Sequence, residues 1–322
     1  MNCLCCAKPL SESVSDEELR TGWHQSCIKR FFGTKKFPEI DVSEEKLIEL
    51  AKESVNQGLT VPGVQKKISL HLTTGPNPRL TQVNYPTGFI LKPQTSSYEF
   101  LPEAEFLAMR MAEAAGIKTV PFALVRIPKQ NNRLAYITRR IDRIGNRNPE
   151  MPAMEDFCQL DRKPAQEKYH GSYERCAKII HKYSDRPGID MTDFYYRLLF
   201  SFVIGNSDLH LKNLSLIETA AGSQKYILSP AYDILPVNLI LPEDKDQFAL
   251  TMCGKTRNLR RGDFENFGAN TGIPDKVSAS LISRIIDQRE TFIALCNDSY
   301  LLRTWQKKYA ELITKRFEIL SS

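Results

Sequence analysis

Residues 204–214 read Ile-Gly-Asn-Ser-Asp-Leu-His-Leu-Lys-Asn-Leu, and they join an apolar helix-like segment to a strand-like segment at 214–217. Within this stretch an acid, Asp208, is followed five positions later by an amide, Asn213. A second acid, Asp233, lies in Leu-Ser-Pro-Ala-Tyr-Asp-Ile-Leu-Pro, after a segment with the pattern of a β-hairpin. The order Asp-x-x-x-x-Asn, strand, turn, strand, Asp is typical of sites that transfer a phosphoryl group.

This spacing suits the chemistry because phosphoryl transfer depends mainly on positioned metal ions and on an acceptor hydroxyl held in line. Asp208 would orient the hydroxyl, while Asn213 and Asp233 would supply oxygen ligands to Mg²⁺. Asp and Asn are also common in ordinary loops, because they bond to their own backbone and tolerate tight turns. The second acid after the hairpin and a lysine upstream, Lys92, favour the catalytic interpretation.

Alternating apolar residues upstream of this stretch predict an antiparallel sheet. Its strands are expected at 68–72, 79–83, 88–93, 122–127 and 134–141. Lys92 stands in the third strand among apolar neighbours, where a charged side chain needs a partner. Glu105 lies on the apolar face of a helix predicted over 102–115, and we expect it to pair with Lys92. Lys92 would then hold the α- and β-phosphates of ATP; the alternative is an exposed lysine on an edge strand.

Helical patterns dominate the second half of the chain. Helices are expected at about 173–183, 192–204, 276–295 and 300–320, and the second of these is apolar enough to be a core helix. Residues 147–171 are polar and have no clear period, whereas residues 255–261 are rich in Lys and Arg. The basic stretch fits a solvated face better than a docking site for an acidic partner.

Together these patterns predict an α+β fold with two lobes, as in protein kinases: an antiparallel β-rich amino-terminal lobe and a mainly α-helical carboxy-terminal lobe. The predicted divisions are a cysteine-containing segment at 1–33, a β-rich lobe with a phosphate-binding loop and hinge at 34–143, and a helical lobe at 144–322. A helix is also expected from Ser43 to about Val55, because Ser43 is a good N-cap followed by acids.

Composition places the chain among ordinary globular proteins. It has 322 residues, 42% hydrophobic and 25% charged, with a net charge of +6. No apolar run approaches the ~20 residues that span a bilayer, and the amino terminus has no signal-peptide pattern, so we expect a cytoplasmic protein that does not bind membranes. The mild positive charge suits a polyanionic ligand such as ATP, but it does not indicate direct nucleic-acid binding.

Four of the eight cysteines fall within the first 27 residues. Cys3, Cys6, His24 and Cys27 have a spacing that fits a Cys₃His zinc site, and a segment this short gains stability from a metal. Three observations oppose this interpretation: Cys5 is an extra thiol, the spacer between the two halves lacks a second hairpin with paired ligands, and cysteines of cytosolic proteins are often simply buried.

Five stretches resemble the HipA family of bacterial serine/threonine kinase toxins, and they lie at 61–67, 139–143, 154–160, 205–214 and 229–236. The resemblance extends over about residues 45–320, and the chain looks like the short form, HipT, in which the amino-terminal subdomain of the long toxins is missing. It implies an ATP- and Mg²⁺-dependent kinase in which residues 58–65 form the loop over the phosphates.

The resemblance also implies further site residues. The family pattern identifies Thr60 as the site of autophosphorylation, with Ser54 and Ser69 as alternatives, and a phosphate on Thr60 would repel the phosphates of ATP and expel the loop. The candidate ATP contacts are Thr60, Val61, Gly63, Val64, Gln65, Lys92, Glu105, Arg139, Ile141, His210, Lys212, Asn213 and Asp233. Arg139 and Ile141 would contact adenine through the hinge backbone, and His210 can also be interpreted as a structural support of the loop.

As partners, the resemblance implies a protein substrate of the aminoacyl-tRNA synthetase class, a helix-turn-helix antitoxin, and a small protein that replaces the missing subdomain. Two other functions remain open from the residues alone. One is a small-molecule kinase of the aminoglycoside-phosphotransferase type, which shares the Asp-x-x-x-x-Asn spacing. The other is a regulator that binds nucleotide without transferring phosphate.

Overall fold

The computed structural model of the chain describes residues 1–10, 14–42, 67–73, 75–82, 88–128, 132–145 and 149–322. The predicted helix from Ser43 and the predicted phosphate loop, with Ser54 and Thr60, lie outside these residues. Two compact units are found. The first contains Met1–Phe106 and Val120–Met151, and the second contains Leu107–Thr119 and Pro152–Ser322.

The first unit is built on a six-stranded sheet with the order β1-β3-β2-β4-β6-β5. Its strands are β1 Glu39–Asp41, β2 Ile68–Leu72, β3 Arg79–Thr81, β4 Phe89–Pro93, β5 Phe122–Ile127 and β6 Arg133–Arg139. Strand β1 was not expected from the sequence, and it pairs with β3 in parallel, whereas the other pairs are antiparallel. In the register of β4 and β6, Lys92 lies opposite Tyr136.

The helices of the amino-terminal segment pack into this same unit. They are α1 Asp16–Thr21 and α2 Gln25–Phe32. A longer helix, α3 Leu101–Ala114, follows strand β4, and its residues from Leu107 onward belong to the second unit. Trp23, Phe31, Phe32 and Phe37 form an aromatic cluster, and Phe89 of β4 lies 5.6 Å from Phe32 between ring centroids. Residues 1–33 are therefore distinct in composition but share the core of the sheet unit, because their aromatic rings are buried against it.

The second unit is mainly helical. Its helices are α4 Phe157–Leu160, α5 Tyr173–Tyr183, α6 Pro187–Ile204, α7 Val237–Ile240, α8 Arg261–Asn270, α9 Asp275–Ile286, α10 Arg289–Asn297 and α11 Arg303–Ser321. The predicted hairpin forms strands β8 Ser215–Glu218 and β9 Tyr226–Leu228, and β7 Met154–Asp156 pairs with β8. Helix α6 is buried along most of its length and packs against α5, α9 and α11, as its apolar composition predicts.

Three features of the second unit differ from the sequence-based prediction. Strand β7 lies within the stretch that showed no period, the helix expected at 276–295 is two helices, α9 and α10, and α8 follows the basic stretch. No glycine or proline separates α9 from α10, so the sequence contains no helix-breaking residue at that bend. Part of the basic stretch is paired within the unit, since Lys255 pairs with Asp263 at 2.7 Å and Arg257 with Asp246 at 3.0 Å. None of the helices in the described ranges is both long and apolar enough to cross a membrane.

The burial of Glu103, in the first turn of α3, can be tested through the pH dependence of stability. Burial raises the pKa of its carboxyl to about 7. Because the folded chain holds this proton more tightly than the unfolded chain, stability should fall as pH rises from about 4.5 to about 7. We expect Glu103→Gln to raise the melting temperature at pH 8, where the ionised carboxylate costs about 1–3 kcal/mol, and to have little effect near pH 5.

Differential scanning calorimetry at both pH values checks this expectation. Glu113→Gln is the matched control, because Glu113 is exposed on the same helix. A melting temperature of Glu103→Gln that is lower than wild type at pH 8 would contradict the assigned burial.

Candidate active site

The catalytic-loop candidate begins where helix α6 ends. Gly205 has φ +73°, and a Cβ there would lie 3.0 Å from Leu312 and 3.3 Å from the Cβ of Asn238. The Tyr309 hydroxyl donates to the Ile204 carbonyl at 3.2 Å, and the Asn238 N–H donates to the Gly205 carbonyl at 3.0 Å. The left-handed conformation and the close packing both require glycine, and they set the point at which the chain leaves the helix.

Asp208 forms hydrogen bonds with two residues of the loop, Asn206 and His210, and with Tyr169, which is distant in sequence. Its N–H donates to the side-chain oxygen of Asn206 at 3.2 Å, and its carbonyl accepts from the His210 N–H at 2.7 Å. The Tyr169 hydroxyl donates to Asp208 Oδ1 at 2.8 Å. Asp208 is 8% exposed, and the bond from Tyr169 restrains its carboxylate directly.

Asn213 is drawn back to Asp208 across the loop. Its Nδ2 donates to the Asp208 carbonyl at 2.9 Å, and its own N–H donates to the His210 carbonyl at 2.9 Å. With the amide nitrogen used in this way, Oδ1 is the atom that can ligate a hard cation. The structure therefore brings together the acid and the amide that the sequence spacing singled out.

Asp233 follows the hairpin in a left-handed conformation, with φ +58°. The Ala231 N–H donates to the Lys118 carbonyl at 2.7 Å, and the Tyr232 hydroxyl donates to the Lys212 carbonyl at 3.1 Å. These two bonds fix the residues before Asp233 to the rest of the unit, including the loop. Such a conformation is uncommon for residues other than glycine, and it frequently marks a functional site.

His210 is a neutral member of the loop at physiological pH. Burial lowers the pKa of its imidazole to about 4, and the positive charge of Lys168 acts in the same direction. Its Nε2 lies 3.8 Å from Asp208 Oδ2, and its ring meets Tyr169 edge-on at 5.0 Å. A neutral, packed ring favours the structural interpretation of His210 over a role as a cationic phosphate ligand.

Lys212 is held inside the second unit. Its Nζ lies 2.9 Å from Oδ2 of Asp156, the residue that caps helix α4. An anionic ligand would therefore have to compete with this carboxylate for the Lys212 ammonium.

In the first unit, Lys92 and Glu105 form the pair expected from the sequence. Lys92 Nζ lies 2.6 Å from Glu105 Oε1, with 6% and 0% of the two side chains exposed. The ammonium also lies 5.4 Å from the centre of the Tyr136 ring on the neighbouring strand. Because a charge in such surroundings needs a partner, the pair gives the Lys92 ammonium a defined position.

The predicted hinge backbone is partly used within the sheet unit. The Arg139 N–H donates to the Pro121 carbonyl and the Arg140 N–H to the Gly88 carbonyl, both at 2.9 Å. These two N–H groups are engaged, so an adenine contact at 138–141 would involve other backbone atoms, such as those of Ile141. The Asp142 carboxylate accepts from Arg140 at 2.6 Å and from Arg143 at 2.9 Å.

The remaining predicted ATP contacts, Thr60, Val61, Gly63, Val64 and Gln65, lie outside the described residues. Sequence reasoning also missed three supporting residues: Tyr169, Asn206 and Tyr232. Tyr169 stands 39 positions before Asp208 in the stretch without a period, where spacing gives no signal. Asn206 and Tyr232 each lie within two residues of a predicted acid, so the motifs contained them without indicating their contacts.

The cysteine cluster of the first unit is a second candidate site. One ligand atom from each of Cys3, Cys6, His24 and Cys27 lies within 4.8 Å of the others, whereas Cys5 is not in this group. The four predicted ligands are thus adjacent in space.

Residues 59–292 match the family described as the HipA-like C-terminal domain. A protein of Haemophilus influenzae, named as a kinase by inference, is 26% identical over 342 aligned positions that cover 96% of this chain and 97% of that protein. Two proteins of Sinorhizobium fredii with names of the same kind are 26% and 29% identical over 73% of this chain. The chain spans only 56% and 58% of their lengths.

Two solved structures share the fold. HipA of Shewanella oneidensis, in a toxin–antitoxin complex with HipB and operator DNA, has a TM-score of 0.72 at 20% identity, covering 86% of this chain and 70% of that one. The proinflammatory kinase CtkA of Helicobacter pylori has a TM-score of 0.54 at 11% identity, covering 78% of this chain and 91% of that one. These likenesses confirm the predicted α+β, kinase-like fold.

The Lys92–Glu105 pair generates a stability prediction. Lys92→Met leaves the Glu105 carboxylate buried without its ammonium, and we expect a loss of about 3–5 kcal/mol in the free energy of unfolding. The double variant Lys92→Met/Glu105→Gln should regain part of that loss, because both charges of the pair are then removed together. Urea unfolding measures both values.

Arg79→Met is the matched control. Arg79 and Asp41 form a comparable 2.7 Å pair, but 48% and 38% of their side chains are exposed. The loss there should stay below about 1 kcal/mol. If Arg79→Met and Lys92→Met lowered the free energy of unfolding equally, burial would not be the reason for the cost of breaking the Lys92–Glu105 pair.

Proposed function

We propose that this chain, which belongs to the HipA-like C-terminal domain family, is an ATP- and Mg²⁺-dependent serine/threonine protein kinase. The observation that carries the proposal is the 2.9 Å bond from Asn213 Nδ2 to the Asp208 carbonyl. It holds an acid and an amide oxygen on one loop. A second acid, Asp233 in a left-handed conformation, follows Tyr232, whose hydroxyl donates to the same loop at the Lys212 carbonyl. This is the set of groups that a phosphoryl-transfer site requires.

In this proposal Asp208 orients the acceptor hydroxyl and takes its proton late in the transfer. The Tyr169 hydroxyl, 2.8 Å from Oδ1, limits rotation of the carboxylate and so fixes the direction in which it accepts. Positioning of this kind is a large part of the rate enhancement, since phosphoryl transfer needs little covalent assistance. His210, which is neutral, supports the same loop without adding charge.

The donor set suits magnesium. Asn213 Oδ1 and the Asp233 carboxylate are hard oxygen ligands, and Mg²⁺ is usually bound in proteins by one or two carboxylates together with substrate phosphates. When bound, the ion would neutralise charge on those phosphates. The Lys92 ammonium, oriented by Glu105 at 2.6 Å, is proposed to bind the α- and β-phosphates of ATP.

We propose further that the chain acts as a toxin. Support comes from the family and from the Shewanella oneidensis structure, in which HipA is assembled with HipB and operator DNA. The expected partners are a helix-turn-helix antitoxin and a small protein related to the subdomain of the long toxins. The expected substrate is a serine or threonine of an aminoacyl-tRNA synthetase, whose phosphorylation would inhibit translation.

Two acid variants separate binding from transfer. Asp233→Ala should abolish Mg²⁺-dependent ATP binding, because a metal ligand is lost. Asp208→Asn should bind ATP like the wild type but transfer phosphate at least ~10²-fold more slowly. Isothermal titration with Mg-ATP measures binding, and γ-labelled ATP with a total cell lysate, read by mass spectrometry, measures transfer and identifies the labelled protein.

Asp193→Asn, an exposed change on helix α6, is the control and should match the wild type in both measurements. Wild-type transfer by Asp208→Asn would refute the catalytic assignment. Label that appears only on small molecules would instead favour a small-molecule kinase.

A second prediction concerns the phosphate loop. A phosphorylated Thr60 would carry about −2 charge beside the triphosphate, which is repulsive at short range. We therefore expect Thr60→Asp to weaken ATP binding, and Thr60→Ala to stay active while escaping the loss of activity that follows preincubation with Mg-ATP. Time courses with and without preincubation measure this escape.

Ser54→Ala is the matched control and should still inactivate itself. Mass spectrometry after incubation with Mg-ATP locates the phosphate. Phosphate on none of Thr60, Ser54 and Ser69 would exclude expulsion of the loop by autophosphorylation, and it would leave the kinase proposal itself untouched.

A further inference from the structure

The first half of the cysteine cluster is a tight turn. The Ala7 N–H donates to the Cys3 carbonyl at 2.8 Å, and the Cys3 N–H donates to the Lys8 carbonyl at 2.8 Å. Ala7 adopts φ +56°, a left-handed conformation that an alanine enters only at a cost. The bonds reverse the chain directly after Cys6 and hold the Cys3 and Cys6 thiols on the same side of the turn.

The second half is the start of helix α2. His24 is the N-cap residue, and its carbonyl accepts from the Cys27 N–H at 2.9 Å and the Ile28 N–H at 3.0 Å. Residues three apart at the start of a helix lie on the same face. The imidazole and the third thiol are therefore presented together, opposite the turn that contains Cys3 and Cys6.

We propose that Cys3, Cys6, His24 and Cys27 bind one structural Zn²⁺ ion. His24 Nδ1 lies 3.4 Å from Cys6 Sγ and 3.9 Å from Cys27 Sγ, and all four ligand atoms lie within 4.8 Å of one another. Zn–S bonds of about 2.3 Å and Zn–N bonds of about 2.0 Å in a tetrahedron give ligand separations of about 3.5–3.8 Å. The cluster needs only small side-chain movements to reach that geometry.

The state of the His24 ring agrees with a metal ligand. Its Nε2 lies 3.0 Å from the Pro9 carbonyl oxygen, and since a carbonyl only accepts, Nε2 carries the proton. Nδ1 faces the thiols of Cys6 and Cys27 and is the atom placed to bind a metal ion. Metal-bound histidines typically donate their other N–H to a carbonyl or carboxylate in this way.

The surroundings can also balance the charge of the site. Binding would release one proton from each of the three thiols, so Zn²⁺ with three thiolates and a neutral histidine has a net charge of −1. Arg30 Nη2 lies 3.6 Å from Cys27 Sγ, and the His24 N–H donates to Cys3 Sγ at 3.4 Å. A guanidinium and a backbone N–H directed at the sulfurs would offset part of the negative charge of a zinc site with three thiolates.

The ion would connect the amino-terminal segment to the edge of the sheet. Leu4, next to Cys3, accepts from the Leu124 N–H at 2.8 Å, and Trp23, next to His24, donates through Nε1 to the Leu124 carbonyl at 3.0 Å. Leu124 lies on β5, the last strand in the sheet order. Both backbone groups of one edge residue are thus bonded by neighbours of metal ligands, which covers part of an edge that would otherwise be unpaired.

The test uses the full-length chain purified without a metal-affinity tag. Elemental analysis should find about one zinc per chain. Cys6→Ser and Cys27→Ser should retain less than about a tenth of an equivalent. The matched control is Cys5→Ser, which removes a buried thiol between two proposed ligands and should keep the full equivalent.

A second measurement tests the ligand set even where a variant does not fold with zinc: each protein is refolded in Co²⁺, and the absorption bands of bound cobalt are recorded. The wild type and Cys5→Ser should show thiolate-to-cobalt charge-transfer bands and the visible bands of tetrahedral cobalt, and Cys27→Ser should show neither. In a Trp305→Phe background, Trp23 is the remaining tryptophan, and chelation should red-shift its emission and lower the melting temperature. Less than about a tenth of an equivalent of zinc together with no cobalt bands would overturn the site, and metal loss in Cys5→Ser equal to that in Cys27→Ser would overturn the ligand set.

Discussion

The hydrogen bond from the Asn213 amide to the Asp208 carbonyl is the constraint on which the loop geometry depends. A bond of this type contributes only about 0.5–1.5 kcal/mol, which cannot by itself order a loop of this length. Its partners must therefore be placed beforehand. Gly205 fixes the exit from helix α6, and the buried Tyr173 hydroxyl donates to the Leu209 carbonyl at 3.0 Å in the middle of the loop. The weak bond then selects one conformation among few, so the second unit as a whole positions the carboxylate.

The charges around the loop follow from burial. Burial keeps His210 neutral, and Lys212 is engaged by Asp156 at 2.9 Å. With His210 neutral and Lys212 paired with Asp156, the carboxylates of Asp208 and Asp233 are the main remaining charges of the two motifs. Two carboxylates and an amide oxygen suit a divalent cation better than an anion, which agrees with the proposed Mg²⁺ site. This distribution favours the catalytic interpretation over loop residues that serve only a tight turn.

The sequence predicted what is local and periodic. Strands β2 and β4–β6, the hairpin β8–β9, helix α6 and the Lys92–Glu105 pair follow from alternation, apolar runs and helical spacing. Contacts between residues far apart in the chain had no such signal. Tyr169 reaches Asp208 from a stretch without periodicity, β1 is short and pairs in parallel with β3, and the bend between α9 and α10 lies at ordinary helix-forming residues. These features are determined by tertiary packing, which cannot be predicted from the local propensities of the residues.

Two left-handed residues illustrate how backbone strain and side-chain identity are related in this chain. Asp233 and Ala7 have φ +58° and +56°, each at a cost of about 1–2 kcal/mol relative to glycine. Glycine would relieve the strain at both positions, but at Asp233 it would remove the carboxylate that the conformation directs. At Ala7 the side chain has no such role, and the conformation serves the turn that aligns the neighbouring thiols. Glycine should therefore be tolerated at position 7, where only the backbone matters, and should be damaging at position 233 if the proposed metal-binding role of Asp233 is right.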